Sequence, residues 1–273
     1  MAVQWSLVIF TLLTGAAGWC FAALAFDAVR GKNQDKAFAV TIVALVLMVV
    51  GGAASVTHLA HPGNMLAALN NPTSGIFVEA MLVGLSSVCM IVFAILVKRD
   101  AAPLAAKVFA VVGGVLGVAL SYLAGSSYLM EAISSWNTVV LPLGYLATAV
   151  PAGIALYLAV VGGDAEDPKV LLVAMVAGAA LGAVLGLVYA LGSGSQADVT
   201  LLLYGGVVAC GGLVPVVCGL LAFKRRAQMR TLMAVACACA LVGALCFRVI
   251  MWETFVLAAA QVGAPFITDF MVL

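Results

Sequence analysis

Charged side chains are scarce in this sequence of 273 residues. Asp, Glu, Lys and Arg together make up 8% of it, whereas 66% of the residues are hydrophobic. A soluble domain with this balance could not cover its core with polar groups. The composition therefore excludes a soluble globular protein, and a net charge of +1 gives no indication of a nucleic-acid partner.

Long apolar runs take the place of the missing polar segments. A helix needs roughly 20 residues to cross a bilayer, and eight runs of about that length occur, at residues 5–27, 37–59, 74–97, 104–125, 138–161, 170–191, 199–222 and 231–252. Their short connections predict an all-α integral membrane protein, with residues 1–273 forming one transmembrane domain folded as an up-and-down bundle. The first run has no basic segment before it, so we expect a retained span rather than a cleaved signal.

Basic residues are absent from both termini and from every second connection. Eleven of the twelve Lys and Arg lie in or beside the other four connections, and the twelfth, Arg248, lies in the last apolar run. The positive-inside rule places the basic connections in the cytoplasm. We therefore predict a multi-pass protein of the cytoplasmic membrane with both termini extracytoplasmic, and with Trp5, Trp136 and Trp252 at the outer interface.

Cysteine pairs with metal-binding or redox spacing are also absent. The seven cysteines are scattered through the apolar runs, which favours packing residues over disulfides or a metal site. Glycine stripes in segments 113–117 and 178–186 predict close helix packing, and three prolines are expected to kink helices 5 and 7: Pro142, Pro151 and Pro215. The similar basic hairpins at 94–112 and 221–238 favour two related four-helix halves, although any basic cytoplasmic hairpin has this pattern.

Histidine is the rarest ionisable residue, and its only two copies lie three positions apart. His58 and His61 fall in SVTHLAHPGNMLAALNNPTSGIFVEAM, residues 55–81, which also contains Glu79. A b-type haem in a membrane is usually held by histidines from different helices. One histidine segment therefore excludes a bis-histidine haem across the bundle. Electrons would have to leave through a cofactor of a partner, unless the protein does no electron transfer at all.

Ionisable side chains inside a bilayer are costly and indicate function. At 1.5 Å per residue, His58 lies at the outer end of helix 2 and Glu79 about 7–8 Å inside helix 3. Arg248 and Tyr122 reach about the same outer level. We therefore predict a quinol site, with His58 and Glu79 as the catalytic groups that take up protons and with Arg248, Tyr122 and His61 as further binding residues.

Each of these residues also has a purely structural interpretation. The histidines could bond to backbone in an interfacial loop, and the two phenols Tyr122 and Tyr128 could anchor the interface. Arg248 could pair with Glu79 or Glu253.

Two other functions compete with quinol oxidation. A small-molecule or ion transporter would explain the kinked helices, but it predicts ionisable groups near the middle of the bilayer, where the sequence has none. A polysulfide-reductase-type anchor would interact with quinone through a similar eight-helix plan.

Several segments resemble the DmsC-type membrane anchor subunit of the dimethyl sulfoxide reductase family of complexes. They are WSLVIFTLLTGAAGWCF (5–21), HLAHP with the downstream Glu79, WNTVVLPLGYLATAVPAGIALYL (136–158) and FRVIMW (247–252). The resemblance covers nearly all the chain. It implies an anchor for an extracytoplasmic iron–sulfur subunit and a molybdopterin catalytic subunit, with menaquinol bound as substrate and with neither haem nor metal in this chain.

Residue by residue, His58 matches the histidine that the family uses in quinol binding and oxidation, and Glu79 matches the carboxylate of the same site. Arg248 matches an arginine in the last helix. The sequence departs from the family pattern in two ways: the connection between His58 and Glu79 is one residue shorter, and His61 stands where a small polar residue is usual.

Overall fold

Eight membrane-spanning units form the protein. The computed structural model describes residues 2–57 and 70–257, and the units in this part of the chain are α1 (Trp5–Arg30), α2 (Ala37–Val56), α3 (Gly75–Lys98), α4 (Pro103–Ser126), α5 (Val140–Val161), α6 (Lys169–Gly192), a π-helix (Leu201–Leu213) continued by α7 (Val214–Lys224), and α8 (Met229–Glu253). Each unit is long and apolar enough to cross a bilayer. The prediction of an all-α integral membrane protein with eight spans is confirmed.

The helix ends agree with the predicted ends to within a few residues, and the largest difference is in α1. This helix continues to Arg30 rather than ending at Asp27, because Gly31 adopts the left-handed conformation (φ 70°) that closes a helix. Asp27 consequently lies inside the last turn. The described part of α2 ends at Val56, and the predicted helical positions 58 and 59 lie outside the described residues.

The seventh span is helical as predicted, but it changes its helix type part-way along. Its first thirteen residues are a π-helix, and regular α-helix begins at Val214, one residue before Pro215. Proline has no N–H to donate and its ring displaces the carbonyl of the preceding turn, so the wider turns end where the proline stands. Pro142 does not break α5, since it lies in the first turn, where an N–H has no partner within the helix.

α1 and α5 form the centre of the bundle. In the most apolar stretch of each of these two helices 67% is buried inside the protein, compared with 33% in the second span and 28% in α3. α1 packs against α2, α4 and α5, whereas α5 also packs against α6 and α8. Successive spans run in opposite directions between the two ends of the bundle. One end, called the basic end, holds the connections rich in Lys and Arg. The other, called the Glu79 end, holds the starts of α1, α3 and α5 and the end of α8.

Glycines allow the closest helix crossings. At the α1–α4 crossing, a Cβ added to Gly18 would lie 2.4 Å from the backbone oxygen of Gly117. At the crossing of the π-helix with α8, a Cβ added to Gly243 would lie 2.2 Å from the Cα of Gly211. Backbones this close gain dispersion contacts that lipid cannot supply, so the predicted packing role of the α4 glycines holds for Gly117.

Gly18→Ala should therefore destabilise the protein. The added methyl group would force α1 and α4 apart, lowering the free energy of unfolding by about 1–3 kcal/mol, measured by denaturant titration in detergent micelles. Gly84→Ala is the matched control, because a Cβ at Gly84 would meet nothing within 4 Å. Equal stability of the two variants would show that the close crossing is unimportant.

A buried carboxylate joins three segments at the basic end. Asp27 is 1% exposed and accepts hydrogen bonds from Tyr157 Oη (2.6 Å) and Asn33 Nδ2 (2.6 Å). Asn33 in turn accepts a hydrogen bond from the backbone N–H of Glu166 (2.9 Å). Arg30 adds an ion pair with Asp27 at 3.4 Å. Asp27 and its partners thus hold the end of α1, the last part of α5 and the α5–α6 connection together. The sequence analysis did not predict this role for Asp27.

Tyr157→Phe should weaken this end of the bundle. The variant removes a donor to a buried carboxylate, a loss of about 1.5–3 kcal/mol in the free energy of unfolding. Tyr204→Phe is the control, since Tyr204 is 52% exposed on the π-helix. If both variants unfold at the wild-type denaturant concentration, the Asp27 bonds do not contribute to stability.

Candidate functional site

The first turn of α3 brings Glu79 against the end of α4. Ser74 caps α3 by accepting a hydrogen bond from the N–H of Phe77 (3.2 Å). Gly75 follows, and a Cβ there would lie 2.8 Å from Ser127 Oγ, so only glycine permits this approach. One turn further on, the half-buried Glu79 accepts a hydrogen bond from Ser127 Oγ at 2.7 Å.

Ser127 can serve Glu79 in either protonation state. Its hydroxyl also lies 3.0 Å from the backbone oxygen of Leu123, and a hydroxyl has one proton to donate and two acceptor positions. It can donate to the carboxylate form of Glu79. It can equally accept a hydrogen bond from the carboxyl form of Glu79 while it donates its own proton to the backbone oxygen of Leu123. A carboxyl group with such a partner can gain or lose a proton without losing its hydrogen bond.

The other predicted site residues have different positions. His58 and His61 lie outside the described residues; in sequence His58 directly follows Thr57, the residue after the end of α2. Tyr122 lies in α4 and is half-buried. Within residues 2–57 and 70–257 no hydrogen bond or ring contact joins it to Glu79 or Arg248, so its predicted role stays a prediction.

Arg248 is completely buried (0% exposed) between three helices. Its Nε donates to Thr11 Oγ1 (2.8 Å) and its Nη2 to the backbone oxygen of Thr11 (3.1 Å). Its Nη1 donates to the backbone oxygen of Ala244 (2.9 Å) and to Thr148 Oγ1 at 3.4 Å. The guanidinium carbon also lies 4.5 Å from the ring centre of Tyr145. Neutral oxygens and one aromatic face thus replace the water around this cation.

The predicted ion pair of Arg248 with Glu79 or Glu253 is not formed. Glu79 bonds to Ser127, Glu253 is exposed, and the ion pairs found among the described residues all lie at the basic end. Counting residues along α8 placed Arg248 at the same depth as Glu79. It could not show that the Arg248 side chain points into the bundle. Arg248 therefore has no direct contact with Glu79.

An aromatic cluster lies at the Glu79 end and contacts Arg248 through the ring of Tyr145. Its rings belong to Tyr128, Trp136, Tyr145, Phe247, Trp252 and Phe255. Trp136 and Trp252 are each 3% exposed, pack edge to face at 5.0 Å, and so are core residues rather than the interface anchors that we predicted. Trp136 Nε1 donates to the backbone oxygen of Met251 (2.9 Å). Only Trp5, at 55% exposed, fits the predicted belt.

Tyr128 is the member of the aromatic cluster next in sequence to the partner of Glu79. Its ring centre lies 5.9 Å from that of Tyr145. Burial raises the pKa of the Tyr128 phenol, Tyr145 and the charge of Glu79 raise it further, and Arg248 lowers it. Tyr128 therefore stays protonated near neutral pH and lies within electrostatic range of both ionisable residues.

This end of the bundle combines an anchored carboxyl group, a row of aromatic rings and a buried cation in an eight-helix membrane protein. The family model of the DMSO reductase anchor subunit (DmsC) matches residues 1–264. The chain belongs to this family. No curated protein matches it. As a member of the DmsC family it is the membrane anchor of a DMSO reductase complex, and the family name implies association with the catalytic and iron–sulfur subunits.

The bond between Thr11 and Arg248 gives a test of how this anchor holds its buried cation. Thr11→Val would leave an N–H of the guanidinium without an acceptor, so the free energy of unfolding should fall by about 1–3 kcal/mol. Thr41→Val is the control, because the buried Thr41 hydroxyl donates only to its own helix, at Ala37 (2.7 Å). Denaturant titration of both variants compares them, and an equal loss would mean that the bond to Arg248 adds nothing.

Proposed function

We propose that this DmsC-family anchor binds menaquinol at the Glu79 end and oxidises it. Oxidation removes two electrons and two protons from the quinol. His58 and Glu79 accept the protons and release them to the adjacent water, while the electrons pass to the iron–sulfur subunit that serves an extracytoplasmic molybdopterin subunit. The charge pattern of the sequence supports an outward-facing Glu79 end.

The observation that carries this proposal is the Glu79–Ser127 pair. Glu79 is half-buried in an apolar helix, and among the described residues its hydrogen-bond partner is a neutral hydroxyl that suits both of its protonation states. A carboxyl group that only stabilised the fold would be expected to have a fixed donor or a cation beside it. A carboxyl group that carries protons needs a partner that tolerates both states.

The distribution of buried charge disfavours the transporter alternative. In the described part of the chain the buried charged residues are Asp27 and Arg248. Asp27 belongs to the last turn of α1 at the basic end, and Arg248 belongs to the second half of α8, towards the Glu79 end. Transporters of this size bind their substrates with polar groups near the middle of the bilayer.

Glu79→Gln should abolish quinol oxidation while leaving the complex assembled. Glutamine keeps the size of the side chain and can still accept the Ser127 hydrogen bond, but it cannot carry a proton. We expect menadiol-dependent reduction of dimethyl sulfoxide by membranes that contain the whole complex to fall at least about 100-fold. Co-purification of the three subunits checks assembly.

The controls separate this role from a general effect of charge. Glu253→Gln alters an exposed carboxylate at the same end and should leave the rate unchanged. His58→Ala should lose activity as Glu79→Gln does. Activity within twofold of wild type in both His58→Ala and Glu79→Gln would reject the proposed function.

A further inference from the structure

We propose that Tyr128 is a quinol-contacting residue whose hydroxyl hydrogen-bonds a ring oxygen of the quinol, and that Tyr145 and Arg248 position it. This inference rests on the proposed function, since it concerns the same site. It adds a phenol that the sequence reasoning treated as an interface anchor, and it changes the expected role of Arg248 from direct ligand to indirect support.

Position and accessibility favour Tyr128 over the other phenols. Ser127, the residue before it, holds Glu79 at 2.7 Å, so a ligand that reaches Glu79 also reaches the start of the 127–139 connection. Tyr128 is half-buried, whereas Tyr145 is 1% exposed and Tyr189 is 2% exposed. Tyr128 is therefore the phenol of the aromatic cluster that a ligand can touch.

The aromatic cluster fixes the direction of Tyr128. Its ring packs edge to face against Trp136 at 5.6 Å and Trp252 at 6.0 Å. Its ring centre lies 5.9 Å from that of Tyr145, and a phenol has one donor and two acceptor positions, so the hydroxyl of Tyr128 has capacity for a ring oxygen of the quinol. A ring held on several sides loses little side-chain entropy when a ligand binds.

Arg248 supports Tyr145 rather than the ligand. Its guanidinium covers the Tyr145 ring at 4.5 Å, and its hydrogen bonds to α1 and α5 fix it in place. Because Arg248 is enclosed on all sides (0% exposed), a quinol cannot reach it without rearrangement of the helices. Its charge still acts on Tyr128.

A second donor in the aromatic cluster has no acceptor. The Nε1–H of Trp252 is buried and makes no hydrogen bond to any described residue. Trp19 Nε1 and Tyr189 Oη are buried without a partner in the same way, and Trp252 is 3% exposed, so this donor is not itself a ligand contact. The Trp252 ring packs edge to face against Tyr128 at 6.0 Å, which makes its fluorescence a reporter of a ligand at Tyr128.

Steady-state kinetics of the whole complex in membranes, with menadiol as the probe, tests the proposal. Tyr128→Phe should raise KM about tenfold, the effect of one lost hydrogen bond, with kcat within about threefold of wild type. The exposed Tyr204→Phe should leave KM unchanged. Tyr145→Phe should raise KM less, and the Tyr128→Phe/Tyr145→Phe double variant should match Tyr128→Phe, because Tyr145 acts through Tyr128.

A measurement that needs no Tyr128 variant covers the case in which Tyr128→Phe does not assemble. Menadione added to the purified full chain should quench tryptophan fluorescence. The Trp136→Phe/Trp252→Phe double variant should remove most of that quenching, because both rings pack against Tyr128, whereas Trp19→Phe should not. A KM of Tyr128→Phe equal to that of Tyr204→Phe, or full quenching in the Trp136→Phe/Trp252→Phe variant, would overturn the inference. If Glu79→Gln is inactive at the same time, the proposed function stands; if Glu79→Gln and His58→Ala are both active, the proposed function fails as well.

Discussion

The interior of a bilayer offers no water to a polar group, and this constraint determines the arrangement of the whole protein. A polar atom placed between the ends of the helices is costly unless it finds a partner within the chain. Arg248 is the extreme case, because a guanidinium has five N–H groups to satisfy. Thr11, Thr148 and the backbone of α8 supply most of the acceptors, and the Tyr145 ring covers its face. The cation is tolerable only while α1, α5 and α8 stay in contact.

The close helix packing is therefore a condition of the polar site. In lipid, helices associate through short backbone approaches rather than through the hydrophobic effect. Gly18 against Gly117 brings α4 onto the central helix α1, and Gly211 against Gly243 brings the π-helix onto α8. At the basic end, Asp27 and Tyr157 tie α1 to α5. The two central helices that hold Arg248 are thus fixed along their length.

Each feature of the sequence predicts only the structural property that it physically determines. Composition and run length gave the eight spans, because crossing a bilayer fixes the length and apolarity of a helix. Counting residues placed Glu79 one turn inside α3 correctly. The same counting could not show that Arg248 points into the bundle, since depth says nothing about rotation around a helix axis. The π-helix could not be predicted from the sequence, because this segment also packs against α8, a contact that the local sequence around Pro215 does not contain.

The tryptophan rings of the aromatic cluster show where the usual preference of a residue type gives a wrong prediction. Tryptophan and tyrosine near a span end usually face the lipid headgroups, and this preference misassigned Trp136 and Trp252. Here the 127–139 connection folds over the end of α8, with Ser134 Oγ donating to Val256 (3.1 Å). Rings that would face the membrane are thereby enclosed. Their enclosure depends on a contact between residues more than 100 positions apart, which no local pattern contains.

Glu79 and Arg248 differ in a way that suits different roles at one site. Arg248 is enclosed and donates hydrogen bonds to oxygens of three helices, so its charge is fixed in position. Glu79 is half-buried at the edge of the bundle, and its serine partner can reverse the direction of its hydrogen bond. A group that carries protons must change its charge during each turnover. A group that organises the site must not change, because a preorganised environment is effective only while its dipoles and charges stay in place.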